Sequence, residues 1–447
     1  MEYKIKEGNA EAIIFIDKYN IDLETMKQIR KIIQHPTMEN AHVRIMPDCC
    51  RAYNCCVGLT AELTTKCAPK FVGSDIGCGI ASHPINNLFS DKTAEEVEKI
   101  IKNSTPLGSG RNCIFNEPIV NSGDILECLE DSRQSAILFC QKYLQKFGVN
   151  LKEKIPSYDM KWLNDLCKKV GTELDYDMKC LGTLGAGNHY IEINRTDKSD
   201  ISYLTVHCGS RNIGSKICDY HQNKIDVSNR MDYDEYDDKL KQFNRKSKDP
   251  KARKIFMDIT KEEMKKSLHT EYLQDSEAYE YYFDMIFAQK YAQLNRHTII
   301  KKILENLDLG SQFNKDKIIE SIHNYIDFEN LILRKGAISA YDGQLCIVSL
   351  NMRDGILLCK GKGNSEWNYS SAHGSGRLAS REATRRKYNM NQYKKSMEGV
   401  YSTTICDETL DECPMAYKDT DLIKFALSPT IEIMEHLKPV MNVKGFD

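Results

Sequence analysis

Five side chains of the types that bind metals stand in separate parts of this sequence. Asp75 and Cys78 are three residues apart in the loop GSDIGCG, and three histidines follow much later: His189, His207 and His323. Carboxylate, thiolate and imidazole together bind divalent transition metals, and ligand type alone favours zinc. Because five ligands exceed the four of a closed structural zinc site, the set predicts two metals that share a ligand. Such pairs suit phosphoryl chemistry, since they hold both the entering and the leaving oxygen.

A further histidine, His373, stands just before two glycines and an arginine in SSAHGSGR, residues 370–377. The local sequence leaves three interpretations open: a turn residue, a metal ligand, or a nucleophile that becomes bonded to a nucleotide. A neutral imidazole is a good nucleophile near pH 7, and it leaves readily once its adduct is protonated. The neighbouring glycines would let backbone N–H groups face a phosphate.

Strand-like runs beside glycine loops are expected to position these residues. Short apolar or β-branched runs accompany the loop of Asp75 and Cys78, the loop of His189 and the turn after His207. We therefore predict three strands that deliver ligands into loops, where function tends to lie. LCIVSL and GILLCKG predict two further strands ahead of His373. Apolar residues at helical spacing predict helices at residues 23–34, 93–103, 132–147, 278–296 and 421–437.

The bulk composition is that of a globular protein without a strong overall charge. The chain has 447 residues, 41% hydrophobic and 28% charged, which is enough for a substantial core. The formal net charge is -2, so a nucleic-acid partner must meet local positive charge. The N-terminus does not resemble a signal peptide, and no run approaches the roughly 18 apolar residues of a membrane helix. We expect a cytoplasmic protein with no membrane contact, whose 17 cysteines are mostly reduced core residues.

Nine motifs in a fixed order relate this chain to a known family. They cover nearly the whole sequence, and the longest, LGTLGAGNHYIEI, is highly specific. The motifs are MPD (46–48), GSDIGCG (73–79), LGTLGAGNHYIEI (181–193), HCGSR (207–211), HN (323–324), RKGA (334–337), HGSGR (373–377), MAYKD (415–419) and VKG (443–445). With these motifs the sequence resembles the RtcB family of RNA ligases.

The resemblance implies a GTP- and manganese-dependent ligase in RNA repair or tRNA-splicing-type rejoining. Such an enzyme joins RNA ending in a 2',3'-cyclic phosphate or 3'-phosphate to RNA with a 5'-hydroxyl. By resemblance, Cys78 bridges two Mn2+ ions. Asp75 and His189 complete one metal site, and His207 with His323 completes the other.

The resemblance also makes His373 the nucleophile. His373 would attack the α-phosphate of GTP, and the guanylyl group would pass to the RNA 3'-phosphate before the 5'-hydroxyl displaces GMP. An activating protein is a further partner that the resemblance allows. The residues implied around the nucleotide are Asn188, Glu192, Asn324, Asn351, Gly374, Ser375, Gly376, Arg377, Tyr417 and Lys444.

One departure from the family pattern follows MPD. Cys50 stands where the family has a histidine, and residues 52–54 (AYN) replace its glycine pattern. The doubled cysteines at 49–50 and 55–56 do not have a usual zinc spacing. We therefore predict apolar packing for them in preference to an additional zinc site.

A second departure concerns the family's PGSMG loop, which reads SLNMR at residues 349–353. Leucine and arginine in place of glycine change the backbone freedom and the volume of the loop. We expect Asn351 to remain a hydrogen-bond donor there and Arg353 to add positive charge near the phosphates. The change raises the question of whether GTP can still present its α-phosphate to His373.

A highly charged segment at residues 226–277 is predicted to be a surface insertion with helical parts. It is either a solvated excursion or an arm whose RKSKDPKARK run contacts RNA phosphates. A second basic cluster, REATRRK at 381–387, lies closer to His373 and is either a guide for an RNA end or a solvated helix face.

The predicted fold is a single large α+β domain over residues 1–447, with mixed sheets around a central metal-containing cleft. The predicted function is the RNA ligation described above. Two alternatives remain: a metal-dependent nucleic-acid end phosphoesterase without ligation, and a non-catalytic RNA-end binder. Retention of all five ligands together with His373 favours an enzyme over a binder.

Overall fold

The structure is a computed structural model that describes residues 2–8, 10–196, 200–246, 249–257 and 271–446. Its strands are β1 (Tyr3–Glu7), β2 (Ala10–Ile14), β3 (Val43–Ile45), β4 (Leu59–Glu62), β5 (Lys66–Cys67), β6 (Gly79–Ile85), β7 (Tyr190–Arg195), β8 (Ser202–Cys208), β9 (Leu273–Gln274), β10 (Ile319–Ile322), β11 (Asn324–Asp327), β12 (Ile332–Lys335), β13 (Ala337–Ser339), β14 (Leu345–Ser349), β15 (Ile356–Gly361), β16 (Ser370–Ala372) and β17 (Ile431–Lys444).

The helices are α1 (Leu23–Gln34), α2 (Ala94–Ser104), α3 (Ser122–Phe147), α4 (Met160–Val170), α5 (Leu174–Cys180), α6 (Arg211–Lys246), α7 (Asp275–Asn306), α8 (Arg381–Lys387), α9 (Met390–Ser396) and α10 (Thr420–Leu427). Residues 250–257 are helical as well. None of the helices in the described ranges combines the length and the apolar character needed to cross a membrane.

Two large sheets dominate the architecture, as expected for a mixed α and β domain. One has six strands in the order β1-β2-β3-β4-β12-β11, and the other has seven in the order β10-β6-β8-β7-β17-β15-β14. Within these sheets only β2 and β3 pair in parallel. Helix α7 is buried along most of its length and packs against α3, α6 and strand β8. A helix that is apolar on nearly all sides belongs in a core, so α7 forms the central support behind the second sheet.

Local sequence explains most helix boundaries. Helix α1 begins where predicted, because Asp22 caps it by accepting from the Thr25 N–H at 2.8 Å. Helix α3 begins ten residues before the predicted start. Asn121 and Asp124 form a reciprocal capping box at its N-terminus, which the prediction overlooked.

The predicted last helix at 421–437 is wrong beyond its first turns. Helix α10 ends at Leu427, and strand β17 begins at Ile431 and continues to Lys444. Pro429 has no N–H to continue the helical hydrogen bonds, and the β-branched residues that follow pair with β15 and β7. The stretch that periodicity predicted as a single helix is therefore a short helix followed by a strand.

The predicted segment 226–277 can be followed only in part. Residues 247–248 and 258–270, and with them part of the RKSKDPKARK run, lie outside the described residues, as do the side chains of 226–236. Helix α6 continues through residue 246, and Phe243 stacks on Phe256 with ring centroids 4.4 Å apart. At the other end Leu273 is buried and pairs with Cys67, so the chain has rejoined the core there.

Candidate active site

Strand register brings the five predicted metal ligands together. His207 lies near the end of β8, where it is paired with Tyr190 of β7 and with Ile80 of β6. Cys78 and His189 directly precede those two strands, so both lie beside His207. Strand β10 pairs with β6 through Ile322 and Gly79, which places the next residue, His323, against Cys78. The backbone N–H of His323 donates to the Cys78 carbonyl at 2.8 Å.

The ligand atoms converge on one another. Cys78 Sγ lies 3.5 Å from His189 Nε2 and 3.3 Å from His207 Nε2. Asp75 Oδ2 is 2.9 Å from His189 Nε2, and His323 Nε2 is 3.2 Å from His207 Nε2. Among the described residues, Cys78, His189 and His207 form a compact group of three ligand atoms within 4.8 Å of one another. The sulfur thus stands between an Asp–His pair and a His–His pair.

The hydrogen bonds of the imidazole rings show that this donor set fits a cation. His189 Nδ1 donates to the Leu184 carbonyl at 2.9 Å, and His207 Nδ1 donates to the Asn188 carbonyl at 3.2 Å. Each ring therefore directs the lone pair of Nε2 towards the sulfur and its neighbours. Lone pairs that face a carboxylate or another imidazole at about 3 Å repel each other unless a proton or a metal cation lies between them. Backbone carbonyls that fix the tautomer are the usual support of metal-binding histidines.

The pKa shifts of His207 and Cys78 agree with this assignment, whereas the pKa of His189 is raised, because the charges of Cys208, Asp75 and Cys78 outweigh burial and favour its protonated ring while no cation is bound. Burial holds the pKa of His207 well below its ordinary value, so the ring is neutral and free to bind a metal. Burial and the Asp75 charge raise the pKa of the Cys78 thiol to about 12. A thiol in this environment becomes a thiolate when a cation compensates its charge. Space is tight as well, since any side chain at Gly209 would collide with the Asp75 carboxylate.

Two adjacent residues of α7, Asn295 and Arg296, hold the ligand-bearing segments from behind. Asn295 accepts from the Gly182 N–H at 2.7 Å and donates to the carbonyls of Thr183 and Gly209 at 3.2 and 3.3 Å. Both side chains are fully buried. These bonds join the loop before His189 to the turn after His207.

Arg296 connects the remaining ligand segments. Its NH1 group donates to the Gly77 carbonyl at 2.7 Å and to the Cys208 carbonyl at 2.8 Å. Its Nε pairs with Glu320 of β10 at 2.7 Å, three residues before His323. Together, Asn295 and Arg296 contact the backbone or strand of every segment that carries a predicted metal ligand.

His373 is set apart from the ligand cluster by its hydrogen bond to Asp48. Its Nδ1 donates to the buried Asp48 Oδ2 at 2.7 Å, which leaves the lone pair on Nε2. The ring remains partly exposed, and its centroid is 4.6 Å from that of His323. Gly376 has a φ of +70°, and a side chain there would strike the Asp48 carbonyl. The glycines of HGSGR thus allow this close approach to the Asp48 turn.

A cavity of about 140 Å3 opens beside His373. Its wall includes His207 and, of the predicted nucleotide residues, Asn188, Glu192, Asn351, Gly374, Ser375, Gly376, Arg377, Tyr417 and Lys444. Ser375 Oγ is buried there and has no hydrogen-bond partner among the described residues. An unpaired buried hydroxyl in a cavity wall is a group that a bound ligand can satisfy.

Asn324 is the exception among the predicted nucleotide residues. It follows His323 directly, but it does not line the cavity. Its side-chain oxygen accepts from Lys335 Nζ and from the Gly336 N–H, each at 3.1 Å. These contacts make Asn324 a brace for the strand that carries His323.

Glu192 is buried at the end of the cavity between two amides. Asn194 Nδ2 donates to one carboxylate oxygen at 2.7 Å, and Asn442 Nδ2 donates to the other at 2.6 Å. Burial outweighs these hydrogen bonds and raises the pKa of Glu192 to about 7. A carboxylate held in this way can accept from the N–H edge of a base, provided that it is ionised.

Glu412 forms ion pairs with the cationic side chains of the cavity wall. Its Oε2 accepts from Lys444 Nζ at 3.1 Å and from the Tyr417 hydroxyl at 2.7 Å. Its Oε1 pairs with Arg377 at 3.0 Å and with Arg381 at 2.8 Å. Burial opposes ionisation, but these cations outweigh it and keep the pKa of Glu412 well below its ordinary value. The cavity wall therefore carries more positive than negative charge around one fixed carboxylate.

The altered loop at 349–353 has a regular conformation that suits its residues. None of these residues has a positive φ, and the left-handed position falls on Gly355. Leu350 and Met352 are buried in two separate apolar clusters. Asn351 faces the cavity but donates to Asp354 at 2.7 Å, and Arg353 pairs with Asp354 outside the cavity wall. The predicted positive charge of Arg353 at the phosphates is therefore wrong for this conformation.

The doubled cysteines pack as apolar residues, as predicted. All four are buried, and Cys49, Cys55 and Cys56 belong to the largest core cluster. They do not form a group of three converging metal ligands among the described residues. Cys50 differs from the others because it also contributes to the wall of the cavity.

Sequence analysis missed several residues of the site. Asp48 lies in the MPD motif that carries the family resemblance, but the sequence alone assigned no role to its side chain. Glu412 stands three residues before the MAYKD motif, and Asn442 lies in the final strand. Their roles depend on contacts with distant segments, which a single sequence does not reveal. Arg381 of the basic cluster does line the cavity, whereas Arg385 is bound to Asp411.

Comparison with known proteins agrees with this arrangement. The family model described as "tRNA-splicing ligase RtcB" matches residues 28–445. The chain is 28% identical over 438 residues to the RNA-splicing ligase RtcB of Escherichia coli strain K12, with 90% of each chain covered. It is 25% identical to the tRNA-splicing ligase RtcB of Methanococcus maripaludis, over 90% of this chain and 87% of that protein. It is 24% identical to that of Archaeoglobus fulgidus, over 95% and 92%. The fold, the ligand cluster and these matches together show that the chain belongs to the RtcB family of RNA ligases.

Proposed function

We propose that this protein joins RNA ending in a 2',3'-cyclic phosphate or 3'-phosphate to RNA with a 5'-hydroxyl, and uses GTP through a covalent His373–GMP adduct. The observation that carries the proposal is the His373–Asp48 pair beside the ligand cluster. Asp48 fixes the tautomer, and Nε2 is the remaining nucleophilic nitrogen. Its ring stands against His323, so a phosphate at Nε2 would also be close to the ligand cluster.

The proposed reaction has three balanced displacements after any cyclic phosphate has been opened by one water. His373 Nε2 bonds to the α-phosphorus of GTP as the bond to the β-phosphate oxygen breaks, and pyrophosphate leaves. An oxygen of the RNA 3'-phosphate then displaces the imidazole and takes the guanylyl group. Finally the 5'-hydroxyl attacks the 3'-phosphorus, loses its proton, and releases GMP.

The cavity residues supply binding and orientation for these steps. Ser375 and the glycines around it present polar groups at the His373 turn, and Arg377 with Lys444 adds positive charge. Ionised Glu192 is suited to accept from the guanine edge. Asp48 holds the imidazole tautomer and stabilises the ring when it gains charge.

We further propose two Mn2+ ions with Cys78 between them. The close Asp75–His189 and His207–His323 contacts on either side of the sulfur support this division. Metal ions bound there would supply Lewis-acid stabilisation of the phosphate oxygens. Ligand chemistry admits zinc as well, so metal identity is part of the test.

The direct test is guanylylation. Purified protein is incubated with GTP radiolabelled at the α-phosphate and with Mn2+, Zn2+ or no metal, and the protein-bound label is counted. We expect label with Mn2+, none in His373→Ala, and about 10²–10⁴-fold slower labelling in Asp48→Ala, because the tautomer is no longer fixed. His42→Ala changes an exposed histidine on the surface and should label normally.

Absence of label from the unaltered protein under every metal condition would contradict the guanylylation step. A second assay then separates ligation from its alternative. Cyclic-phosphate RNA is incubated with metal, and the products are resolved with and without GTP. Formation of 3'-phosphate without joined RNA would favour a phosphoesterase.

A further inference from the structure

The short loop Arg51–Asn54 leaves the wall of the reaction cavity and returns to it. Cys50 and Val57, which flank the loop, both line the cavity. The Val57 N–H donates to the Cys50 carbonyl at 3.0 Å and closes the base of the excursion. Arg51 is only three residues after Asp48, so its Cα lies within about 11 Å of the Asp48 Cα. The loop is therefore at the rim of the cavity where the reacting phosphates must meet His373.

The loop is anchored on both sides. The Gln28 side chain of α1 donates to the Ala52 carbonyl at 2.6 Å and accepts from the Ala52 N–H at 3.2 Å. Cys55 and Cys56 at its other end are fully buried in the core. These contacts fix the backbone, so the side chains at the tip are presented by a rigid support.

Two side chains at the tip of the loop, those of Tyr53 and Arg51, are exposed and are not paired with other described residues. Tyr53 is 97% exposed, and in the described parts of the chain it has no hydrogen bond or ring contact. Arg51 is exposed and forms no ion pair within those residues. The nearby carboxylate of Glu24 is held by Lys27 at 2.7 Å. A rigid loop with a free aromatic ring and a free guanidinium has the groups that bind single-stranded RNA, since bases stack on tyrosine and phosphates pair with arginine.

We infer that Tyr53 and Arg51 form an RNA subsite at the rim of the cavity, where a base near the end to be joined stacks on Tyr53 and a phosphate pairs with Arg51. This inference rests on the proposed function, because it takes RNA as the occupant of the adjoining cavity. It also gives a role to the AYN stretch that replaces the family's glycine pattern.

The test compares Tyr53→Ala, Tyr53→Phe and Arg51→Ala with the unaltered protein. Binding of a fluorescent single-stranded RNA with a 3'-phosphate is measured by anisotropy, and the KM for RNA is measured in the joining reaction. We expect Tyr53→Ala to weaken binding and raise KM by about 5- to 100-fold, while Tyr53→Phe keeps the stacking ring and stays near the original values. Arg51→Ala should lower the slope of log affinity against log salt by about 0.7.

Phe425→Ala is the matched control, because Phe425 is a 65% exposed ring on α10 that does not line the cavity. Guanylylation without RNA should be unchanged in all four variants. Unaltered RNA affinity and KM in Tyr53→Ala would overturn the inference, as would an equal loss in Phe425→Ala. If the unaltered protein takes no GMP label, the proposed function fails, and the anisotropy comparison still decides whether Tyr53 binds RNA.

Discussion

His373 differs from His189 and His207, two of the predicted metal ligands, in the partner of Nδ1. His189 and His207 donate from Nδ1 to backbone carbonyls, whereas His373 donates to the Asp48 carboxylate. A carbonyl fixes the tautomer of a ring that stays neutral on a metal. A carboxylate also stabilises the imidazolium that forms when a histidine acts as a nucleophile or leaving group. The two kinds of histidine in the sequence are therefore separated by their hydrogen-bond partners.

Glu192 is expected to make the stability of the nucleotide-free protein depend on pH. Its pKa is raised from 4.5 to about 7, so the folded protein holds this proton more strongly than the unfolded chain. The contribution is fully present below pH 4.5 and is lost as pH rises through about 7. It amounts to about 3 kcal/mol in the free energy of unfolding. Urea unfolding between pH 5 and pH 8 should show this decline.

Glu192→Gln tests the assignment, since glutamine has no proton to lose. The decline that Glu192 causes should disappear in this variant. In the unaltered protein, GTP affinity should also improve as pH rises through 7, because the ionised carboxylate is the better acceptor for the guanine edge. An identical pH profile in the glutamine variant would mean that another group is responsible.

Among the secondary-structure elements, the strands determine by their pairing which site residues lie beside one another. Sequence patterns located the strand-like runs near His189 and His207 and the two strands ahead of His373. They did not provide the register, and register is what sets Ile80 and Tyr190 beside His207. The predicted strand before Asp75 is instead a 3-10 turn, Pro69–Phe71, and the strand follows the loop at Gly79. Residue types could be read locally, whereas pairings depend on segments far away in the chain.

Asn295 and Arg296 are expected to control metal affinity without binding the metal. Asn295→Ala removes the bonds to Gly182, Thr183 and Gly209, so the loops of His189 and His207 lose their common support. Loss of such supporting bonds weakens metal binding by about 10- to 100-fold. Calorimetric titration with Mn2+ measures this change directly, without reference to catalysis.

Asn306→Ala is the matched control, because Asn306 lies on the same helix and donates to Ser104 at 2.8 Å, away from the ligands. It should keep the original metal affinity. Arg296→Lys keeps the charge opposite Glu320 and should lose less affinity than Arg296→Met. If Asn295→Ala lowers only the melting temperature and leaves Mn2+ affinity intact, α7 supports the fold and has no special role in the site.

For the whole molecule, the charge of the site is local. The net charge of the chain is only -2, yet the cavity has Arg377, Arg381 and Lys444 around Glu412. RNA is thus expected to be attracted to one face. The charged segment 226–277 contributes little to the core at residues 237–245 and 249–257, which are exposed or half-buried, whereas Leu273 near its end is buried.

Replacing residues 229–270 with a flexible Gly-Ser linker should therefore leave the body of the protein intact. We expect a melting temperature within about 2 °C of the original, since the side chains that are described within this range are exposed or half-buried, and such surface contributes little to stability. Guanylylation and RNA joining should proceed at their original rates. Normal guanylylation with RNA joining that is lost at higher salt would instead identify the segment as an RNA-binding arm.

The pairing of ligands from distant segments also governs how the protein reaches its native state. The contacts that unite Cys78, His189, His207 and His323 join residues 111 to 129 positions apart along the chain. Closing such long loops is slow, and the contacts depend on the pairing of β6, β7, β8 and β10 and on the support of α7. The ligand cluster cannot be carried by a fragment or by an early folding intermediate. If the proposed metals bind, we therefore expect their uptake to be a late event of folding, whose rate would measure the arrival of the complete fold.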